Sequence, residues 1–241
     1  MPRFFVTEPI LDSAVISGED ARHISRSLRM AVGERLTICD THGHDFLCEI
    51  ESVTDKEVFL KVLESCECKS EPSVNVTLYQ AMPKSDKLEL IVQKAVELGV
   101  NKIVPVMTSR CISRPDKKSM DKKLERFNKI ALSAAQQSGR GIIPQVMPLI
   151  SFSDAVKAMS EDECPILFYE SNGTTLKGLM ESSPKSVSIM VGSEGGFSEE
   201  EVLEANKSGV NIVNLGPRIL RCETAPMCAL SAVMYATGNL E

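Results

Sequence analysis

The sequence predicts an α/β protein, with a mostly parallel sheet covered by helices and a small domain of short strands in front of it. Three observations predict this. Short runs of β-branched and aromatic residues, alternating with polar ones, fill the first 70 residues. From residue 71 onward strand-like and helix-like segments alternate to the end of the chain. The rhythm changes at Ser70-Glu71-Pro72-Ser73, which sets a boundary between domains at 1–70 and 71–241.

In the first domain the strands are Arg3–Val6, Ala14–Ser17, Arg35–Cys39, Asp45–Val53 and Glu57–Glu64, divided by Gly18, Gly33 and the Thr41-His42-Gly43-His44 turn. One helix interrupts them, from Glu19 to Met30. It places Ile24 and Leu28 four apart, with Arg22, Arg26 and Arg29 on a neighbouring stripe. Short strands closing on themselves around one helix suggest a small barrel. In the second domain the strands are Val74–Gln80, Lys102–Met107, Gln145–Leu149, Pro165–Tyr169, Ser186–Val191 and Val210–Leu215. Helices lie between them at Asp86–Leu98, Asp121–Ser138, Ser153–Met159, Leu176–Glu181 and Glu199–Asn206, and a last one runs from Ala225 to Thr237. Ser198 with Glu201 reads as a capping box, and Gly99 ends the first of these helices. Regular alternation implies a parallel sheet, in which ligands sit beyond the carboxyl ends of the strands.

Composition narrows the class. No apolar run reaches the roughly 18–20 residues that span a bilayer, and the opening Met-Pro-Arg-Phe-Phe lacks the pattern of a secretion signal. The eight cysteines are scattered without paired zinc-ligand spacing, which predicts reduced thiols in the cytosol and no metal. The net charge of −6 conceals segregation: residues 1–70 carry 8 Lys and Arg against 13 Asp and Glu, residues 71–150 carry 13 against 7, and the remainder 6 against 13. A polyanion meets local charge within a Debye length, so the basic middle third admits a nucleic-acid partner. A solvated helix face accounts equally well for the run Lys117–Lys129.

Three segments at strand ends carry the chemistry: Leu167-Phe168-Tyr169-Glu170; Val191-Gly192-Ser193-Glu194-Gly195-Gly196-Phe197; and Leu215-Gly216-Pro217-Arg218-Ile219-Leu220-Arg221-Cys222-Glu223-Thr224-Ala225. Gly192, Gly195 and Gly196 let backbone approach a ligand at a helix start. The loop is neither a dinucleotide fingerprint nor a P-loop, and Glu194 within it opposes a phosphate, so a cationic or uncharged ligand such as S-adenosylmethionine fits better. Taken alone, the loop is equally a plain strand-to-helix turn. Ile219 and Leu220 can wall an adenine slot. Arg218 and Arg221 can hold a phosphate or a developing oxyanion, or form ordinary salt bridges.

Together, G-S-E-G-G-F-S-E-E-E and L-G-P-R-I-L-R-C-E-T-A resemble the SPOUT superfamily of knotted methyltransferases, and more narrowly the 16S ribosomal RNA uridine-N3 methyltransferases that act on a decoding-site uridine of the small subunit. The resemblance extends over the whole chain, through P-R-F-F-V, H-I-S-R-S-L-R-M-A-V-G-E at 23–34, Q-A-M-P-K-S-D-K-L-E-L-I-V-Q-K-A-V-E-L-G-V at 80–100 and Q-Q-S-G-R at 136–140. Ser193 departs from the family's G-P-E-G-G, and Cys222 stands where Thr or another small residue is usual.

The resemblance implies a C-terminal trefoil knot, a PUA-like RNA-binding barrel at 1–70, and a homodimer whose active sites are shared. It implies S-adenosylmethionine bound by Leu167, Gly192, Glu194, Gly195, Leu215, Ile219, Leu220 and Thr224; Gly196, Gly216 and Ala225 adjoin these and complete the expected set. Transfer to uracil N3 requires loss of a proton and dispersal of charge, which points to Arg218 as the stabilising cation and to Glu194 or Glu223 as a base. Glu223 pairing with an arginine is an equal alternative. The expected RNA contacts are Arg22, Arg26 and Arg29 in the first domain, with Lys84, Lys87, Arg110, Arg114, Arg140 and Arg221 in the second. The partner is 16S rRNA or the 30S subunit. The rival readings are a SPOUT enzyme acting on ribose 2′-oxygen or a purine, and a non-catalytic RNA-binding or assembly factor.

Overall fold

The structure, a computed structural model, describes residues 1–170 and 174–240. It divides into two compact units, Met1–Glu71 with Ala135–Ile143, and Pro72–Ala134 with the chain from Pro144 onward.

In the first unit, β1 (Arg3–Phe5), β2 (Ser13–Ser17), β3 (Arg35–Cys39), β4 (His44–Val53) and β5 (Glu57–Glu67) form one sheet in the order β1-β3-β4-β5-β2. β1 runs parallel to β3 and the other ladders are antiparallel. The pleat turns Leu36, Ile38, Cys48, Ile50, Val58 and Leu60 inward, where they join Phe4, Ile16 and Ile24 in one core. Register shifts at Leu47/Cys48 and Ile50/Ser52 bend β4, but no ladder joins the edge strands β1 and β2 among the described residues. The sheet therefore curls without the closure expected of a barrel. β1 has three residues, and the chain leaves it through Pro9, which has no N–H to donate.

The helix expected from Glu19 to Met30 is shorter and wider. It consists of α1 (Gly18–Arg22) running into a π-helical turn at His23–Ser27, where the Leu28 N–H donates to the His23 carbonyl at 2.9 Å. The wide turn breaks the four-residue spacing, so Ile24 is fully buried whereas Leu28 is 39% exposed. Arg22, Arg26 and Arg29 remain on the surface.

Residues 135–143, expected in the second domain, pack with the first unit because Glu71 holds them. Its carboxylate accepts from Arg140 Nε and Nη2, both at 2.8 Å, and from the Gly141 N–H at 2.6 Å. Arg3 adds Nε to the Arg140 carbonyl at 2.9 Å and grips Asp45 with both terminal nitrogens. Arg140 is 2% exposed. This corrects its expected role as an RNA contact: its fork faces Glu71 and is closed off from solvent.

The second unit contains β6 (Asn75–Ala81), α2 (Lys87–Glu97), β7 (Lys102–Met107), the start of α3 (Lys117–Ser138), β8 (Gln145–Val146), β9 (Ile150–Ser151), α4 (Phe152–Met159), β10 (Cys164–Phe168), α5 (Leu176–Met180), β11 (Ser186–Val191), α6 (Glu199–Lys207), β12 (Asn211–Val213) and α7 (Ala225–Ala236). The sheet order is β12-β10-β11-β6-β7-β8, with β9 also on β7, and every pairing is parallel. On one face Tyr79, Val104, Leu167 and Met190 pack against Phe152, Val156 and Met159 of α4 and Ala205 of α6. α7 packs on β11 and against α2 and α5. Of the strand expected at Gln145–Leu149 only β8 forms; Pro148 cannot donate to a ladder, and pairing resumes past the expected end, in β9. The Ser198–Glu201 capping box is present. Gly99 ends α2 at φ +94°, where a Cβ would stand 3.0 Å from Pro72 Cγ and 3.1 Å from Met234 Cε. No helix among the described residues is long and apolar enough to cross a membrane.

Replacing Glu71 by Ala strips the buried Arg140 guanidinium of its carboxylate. Urea unfolding is expected to show a loss of about 3 kcal/mol, the usual scale for breaking a buried pair from one side. Arg140→Met, which removes the charge and keeps the bulk, should cost less. An Arg140→Met protein with unchanged stability and weakened RNA binding would restore the surface role.

Candidate active site

Strand order fixes where a ligand can sit. The chain runs β10, β11, β12, yet β10 lies between the other two, so the connection leaving β10 and the one leaving β11 run in opposite directions. The carboxyl ends of these strands bring three loops to one cleft. Its walls are Phe168, Tyr169 and Glu170; Val191 to Phe197; Asn214 to Gly216; and Arg218, Ile219, Leu220, Cys222 and Ala225, with Arg110 from the loop after β7.

Of the expected cofactor residues, Gly192, Glu194, Gly195, Gly196, Leu215, Gly216, Ile219, Leu220 and Ala225 stand together on these walls, with Arg218 among them. Leu167 and Thr224 do not. Leu167 is fully buried in the sheet core beside Tyr79 and Met190, and Phe168, next along the pleat, faces the cleft instead. Thr224 is exposed at the start of α7, and its hydroxyl makes no cap. Sequence reasoning missed Phe168, Val191, Ser193, Phe197 and Cys222 as wall residues. Val191 and Phe168 are the last residues of their strands, the signal that could have found them.

Two of the glycines allow close packing of the loop. A Cβ on Gly192 would stand 3.0 Å from Gly196 Cα, and one on Gly195 would stand 3.0 Å from Arg110 Cβ and 3.1 Å from its carbonyl. Gly196 turns back at φ +64°, and its N–H donates to the Ser193 carbonyl at 3.0 Å. Gln80, at the end of β6 and fully buried, donates Nε2 to the Gly192 carbonyl at 3.3 Å. The Gln80 Oε1 and Ser193 Oγ atoms are buried with no partner. Glu201 closes the capping box and also accepts the Ser109 N–H at 2.7 Å, tying the loop that carries Arg110 to α6.

The two glutamates share one cation. Lys87 Nζ lies 2.9 Å from Glu194 Oε1 and 3.1 Å from Glu223 Oε2. The Lys84 N–H also donates to Glu194, at 3.2 Å, and the Cys222 thiol donates to Glu223 at 3.2 Å. Burial pushes Glu194 up, but the hydrogen bonds from Lys87 and the backbone outweigh it, so the carboxyl stands below its ordinary value. Glu223 is also lowered, by the Cys222 thiol and by Lys87. Burial and the Glu223 carboxylate push the Cys222 thiol up to about 12. The partner of Glu223 is thus a lysine, not the arginine allowed for in the sequence.

Among the expected RNA contacts, Arg22, Arg26 and Arg29 are exposed in the first unit, and Arg26 pairs with Asp55. In the second unit Lys84 and Arg221 are exposed, Lys87 is taken up by the two glutamates, and Arg110 donates to the Gly195 carbonyl at 3.2 Å. Arg114 donates to the Cys111 and Ser109 carbonyls at 3.3 and 3.0 Å, which braces its own loop. Arg218 is exposed and has no hydrogen-bond or ion-pair partner among the described residues. No group of three or more His, Cys, Asp or Glu that could hold a metal ion occurs among the described residues.

A family model described as an RNA methyltransferase domain matches residues 69–234, and one described as an RNA methyltransferase PUA domain matches residues 16–63. The chain is 36% identical to the ribosomal RNA small subunit methyltransferase E of Bacillus subtilis, over 100% of this chain and 98% of that one. It is 30% identical to the protein of the same name from Mesomycoplasma hyopneumoniae, over 96% and 98%. The crystal structure of a ribosomal RNA small subunit methyltransferase E from Neisseria gonorrhoeae, bound to S-adenosyl methionine, superposes with a TM-score of 0.88 at 31% identity, over 98% and 97% of the two chains.

Both glutamates titrate below their ordinary value of 4.5 when folded. Their contribution to stability is therefore complete above that pH and is lost as pH falls through the lower folded values. Thermal melts from pH 7 to 3 should show the unmodified chain losing Tm more steeply below pH 4.5 than a Glu194→Gln/Glu223→Gln chain. Parallel profiles would mean the cluster contributes nothing to the fold.

Proposed function

The chain belongs to the ribosomal RNA small subunit methyltransferase E family, and from that premise we propose that it methylates N3 of one decoding-site uridine in 16S rRNA. It is an S-adenosylmethionine-dependent methyltransferase with an RNA methyltransferase domain and a PUA-like domain. The target base, the assembled 30S particle as substrate, the cytoplasmic setting, the homodimer and the C-terminal knot belong to our proposal. The observation that carries it is the exposed Arg218, without a partner among the described residues, on the wall of a glycine-lined cleft.

The residues fit the cofactor. Gly192 and Gly195 let the loop pack tightly against Gly196 and Arg110, where a Cβ would stand only 3.0 Å away, so the bare backbone forms the wall; Ser193 presents there a buried hydroxyl without a partner among the described residues, and Ile219 and Leu220 supply apolar surface. When bound, S-adenosylmethionine supplies an electrophilic methyl group on a sulfonium. The protein's part is to hold the uracil in line and to stabilise the negative charge that appears as N3 loses its proton. Arg218 does this: its guanidinium is free to donate toward the uracil carbonyl oxygens. Glu194 and Glu223 are paired and ionised, and a carboxylate held below its ordinary pKa is a poor base. We assign both to positioning. In the first unit, Arg22 and Arg29 offer exposed charge to the RNA backbone.

Two features support the homodimer and the knot. α7 carries no charged residue, yet Tyr235 is 67% exposed and Ile219, in the loop before it, 86%. An uncharged helix of this kind calls for cover, which a second copy would supply. The return of the chain from β11 across β10 to β12 is the course that a C-terminal knot requires.

Incubation with labelled cofactor followed by mass spectrometry of digested rRNA should place one methyl group on uridine N3, more readily on 30S particles than on bare transcript. Label on ribose or on a purine would replace the N3 assignment with another specificity, and absence of label with cofactor bound would favour a non-catalytic factor. Within the site, Arg218→Ala should lower kcat on the order of 10²-fold, the usual cost of losing one preorganised donor, with cofactor affinity little changed. Arg22→Ala should instead weaken RNA binding and lower its salt slope by about one charge, with kcat little changed. An Arg218→Ala enzyme with near-normal kcat and weakened RNA binding would reduce Arg218 to a phosphate anchor.

A further inference from the structure

Lys87 occupies an unfavourable place. It is the first residue of α2, where the helix dipole disfavours a cation. The ammonium is held there by two carboxylates from different loops, Glu194 after β11 at 2.9 Å and Glu223 before α7 at 3.1 Å. Cys222 joins the group, its sulfur 3.6 Å from Nζ and 3.2 Å from Glu223 Oε2. Glu194 and Cys222 are wall residues of the cleft, whereas Lys87 is not. Through one side chain, therefore, α2 is tied to two of the three loops that make the cofactor cleft. The carboxylate oxygens on Nζ can be no farther apart than the sum of their distances to it, so without the cation two like charges would face each other at short range and push the loops apart.

We propose that Lys87 is a positioning residue for the methyl-transfer site: it clasps the Gly192–Gly196 loop to the Arg218–Thr224 loop through Glu194 and Glu223, and so sets the width of the cofactor cleft. The proposal rests on the methyltransferase reading. It takes Lys87 from the RNA-binding surface, where the sequence places it, and gives it to the cofactor site. It also accounts for the acidic residue within the glycine loop, which serves as one jaw of the clasp.

The test uses the full-length protein, with S-adenosylhomocysteine titrated by calorimetry and initial rates measured on 30S particles. Lys87→Met keeps the stem and removes the charge. It should raise the Kd for S-adenosylhomocysteine and the KM for S-adenosylmethionine about tenfold, as displaced supporting residues typically do, with a smaller fall in kcat. Lys87→Arg should restore most of the loss. Glu223→Gln, a milder change should Lys87→Met fail to fold, should raise KM in the same direction. In a Glu194→Gln/Glu223→Gln background Lys87→Met should add little, because the jaws are already gone. Unchanged cofactor affinity in Lys87→Met overturns the proposal. So does a rise in KM for the RNA particle alone, which would make Lys87 an RNA contact, and so does failure of Lys87→Arg to recover. An unmodified protein that binds no S-adenosylhomocysteine overturns the methyltransferase reading itself, before any variant is compared.

Discussion

The cleft depends on the parallel register of β11 between β6 and β10. Parallel strands buried on both faces send all their carboxyl ends to one edge, so the loops that follow them are brought together whatever their sequence separation. The register runs from Ser186 opposite Asn75 to Val191 opposite Gln80. That last pair sets Gln80 beside the turn, where its amide donates to the Gly192 carbonyl at 3.3 Å. A slip of one residue would turn Ile189 and Met190 to opposite faces and carry Gly192 away from Gln80. The buried amide thus reads the register at the point where the strand gives way to the ligand loop.

Charge is spent in two ways, and counting alone does not separate them. Arg3 and Arg140 are consumed inside the first unit by Asp45 and Glu71, Arg126 pairs with Glu89, and Lys87 is shared by two glutamates. Arg218 and Arg221 project from the loop before α7. The excess of positive charge in residues 71–150 is real, but part of it neutralises carboxylates within the fold. A polyanion responds to the remainder, which is smaller than the sum and differently placed.

Much of the fold is legible because its signals are local. The alternation of β-branched residues gives β3 at Arg35–Cys39 and β7 at Lys102–Met107 with their observed bounds, and Ser198 with Glu201 gives the start of α6. The departures come from effects that periodicity does not encode. The π-helical turn at His23–Ser27 exposes Leu28 through one extra residue in a turn, and Pro148 cuts short a strand that looks continuous in hydrophobicity. At the site, the glycine loop and the loop carrying Arg218 are legible as contiguous segments. The partners of Glu194, Glu223 and Arg140 are not, since each depends on a side chain remote in sequence: Lys87, at the start of a helix, in the first two cases and Glu71, at a domain boundary, in the third. Leu167 and Phe168 show the same limit at one-residue scale: a strand buried on both faces does not announce which of its last residues looks outward.

The electrostatics of the Lys87 cluster explain why a glycine-rich loop at a helix start need not bind phosphate. Backbone N–H groups and the helix dipole favour an anion there. Here the three carboxylates of Glu199, Glu200 and Glu201 fill the first turn of α6, and Glu194 stands within the loop itself. One lysine against Glu194 and Glu223 leaves that cluster with a net negative charge, and Cys222, protonated at neutral pH, adds none. Around Glu194 that charge opposes a nucleotide phosphate and favours a cationic group. Arg218 and Arg110 stand on other parts of the same cleft, where the proposed reaction brings the base. A site that must hold a cationic methyl donor and stabilise an anionic acceptor needs both signs of charge within one small cleft. Lys87 gives each glutamate a partner, and Arg218 has none among the described residues, so its charge is the one left for the acceptor in the proposed reaction.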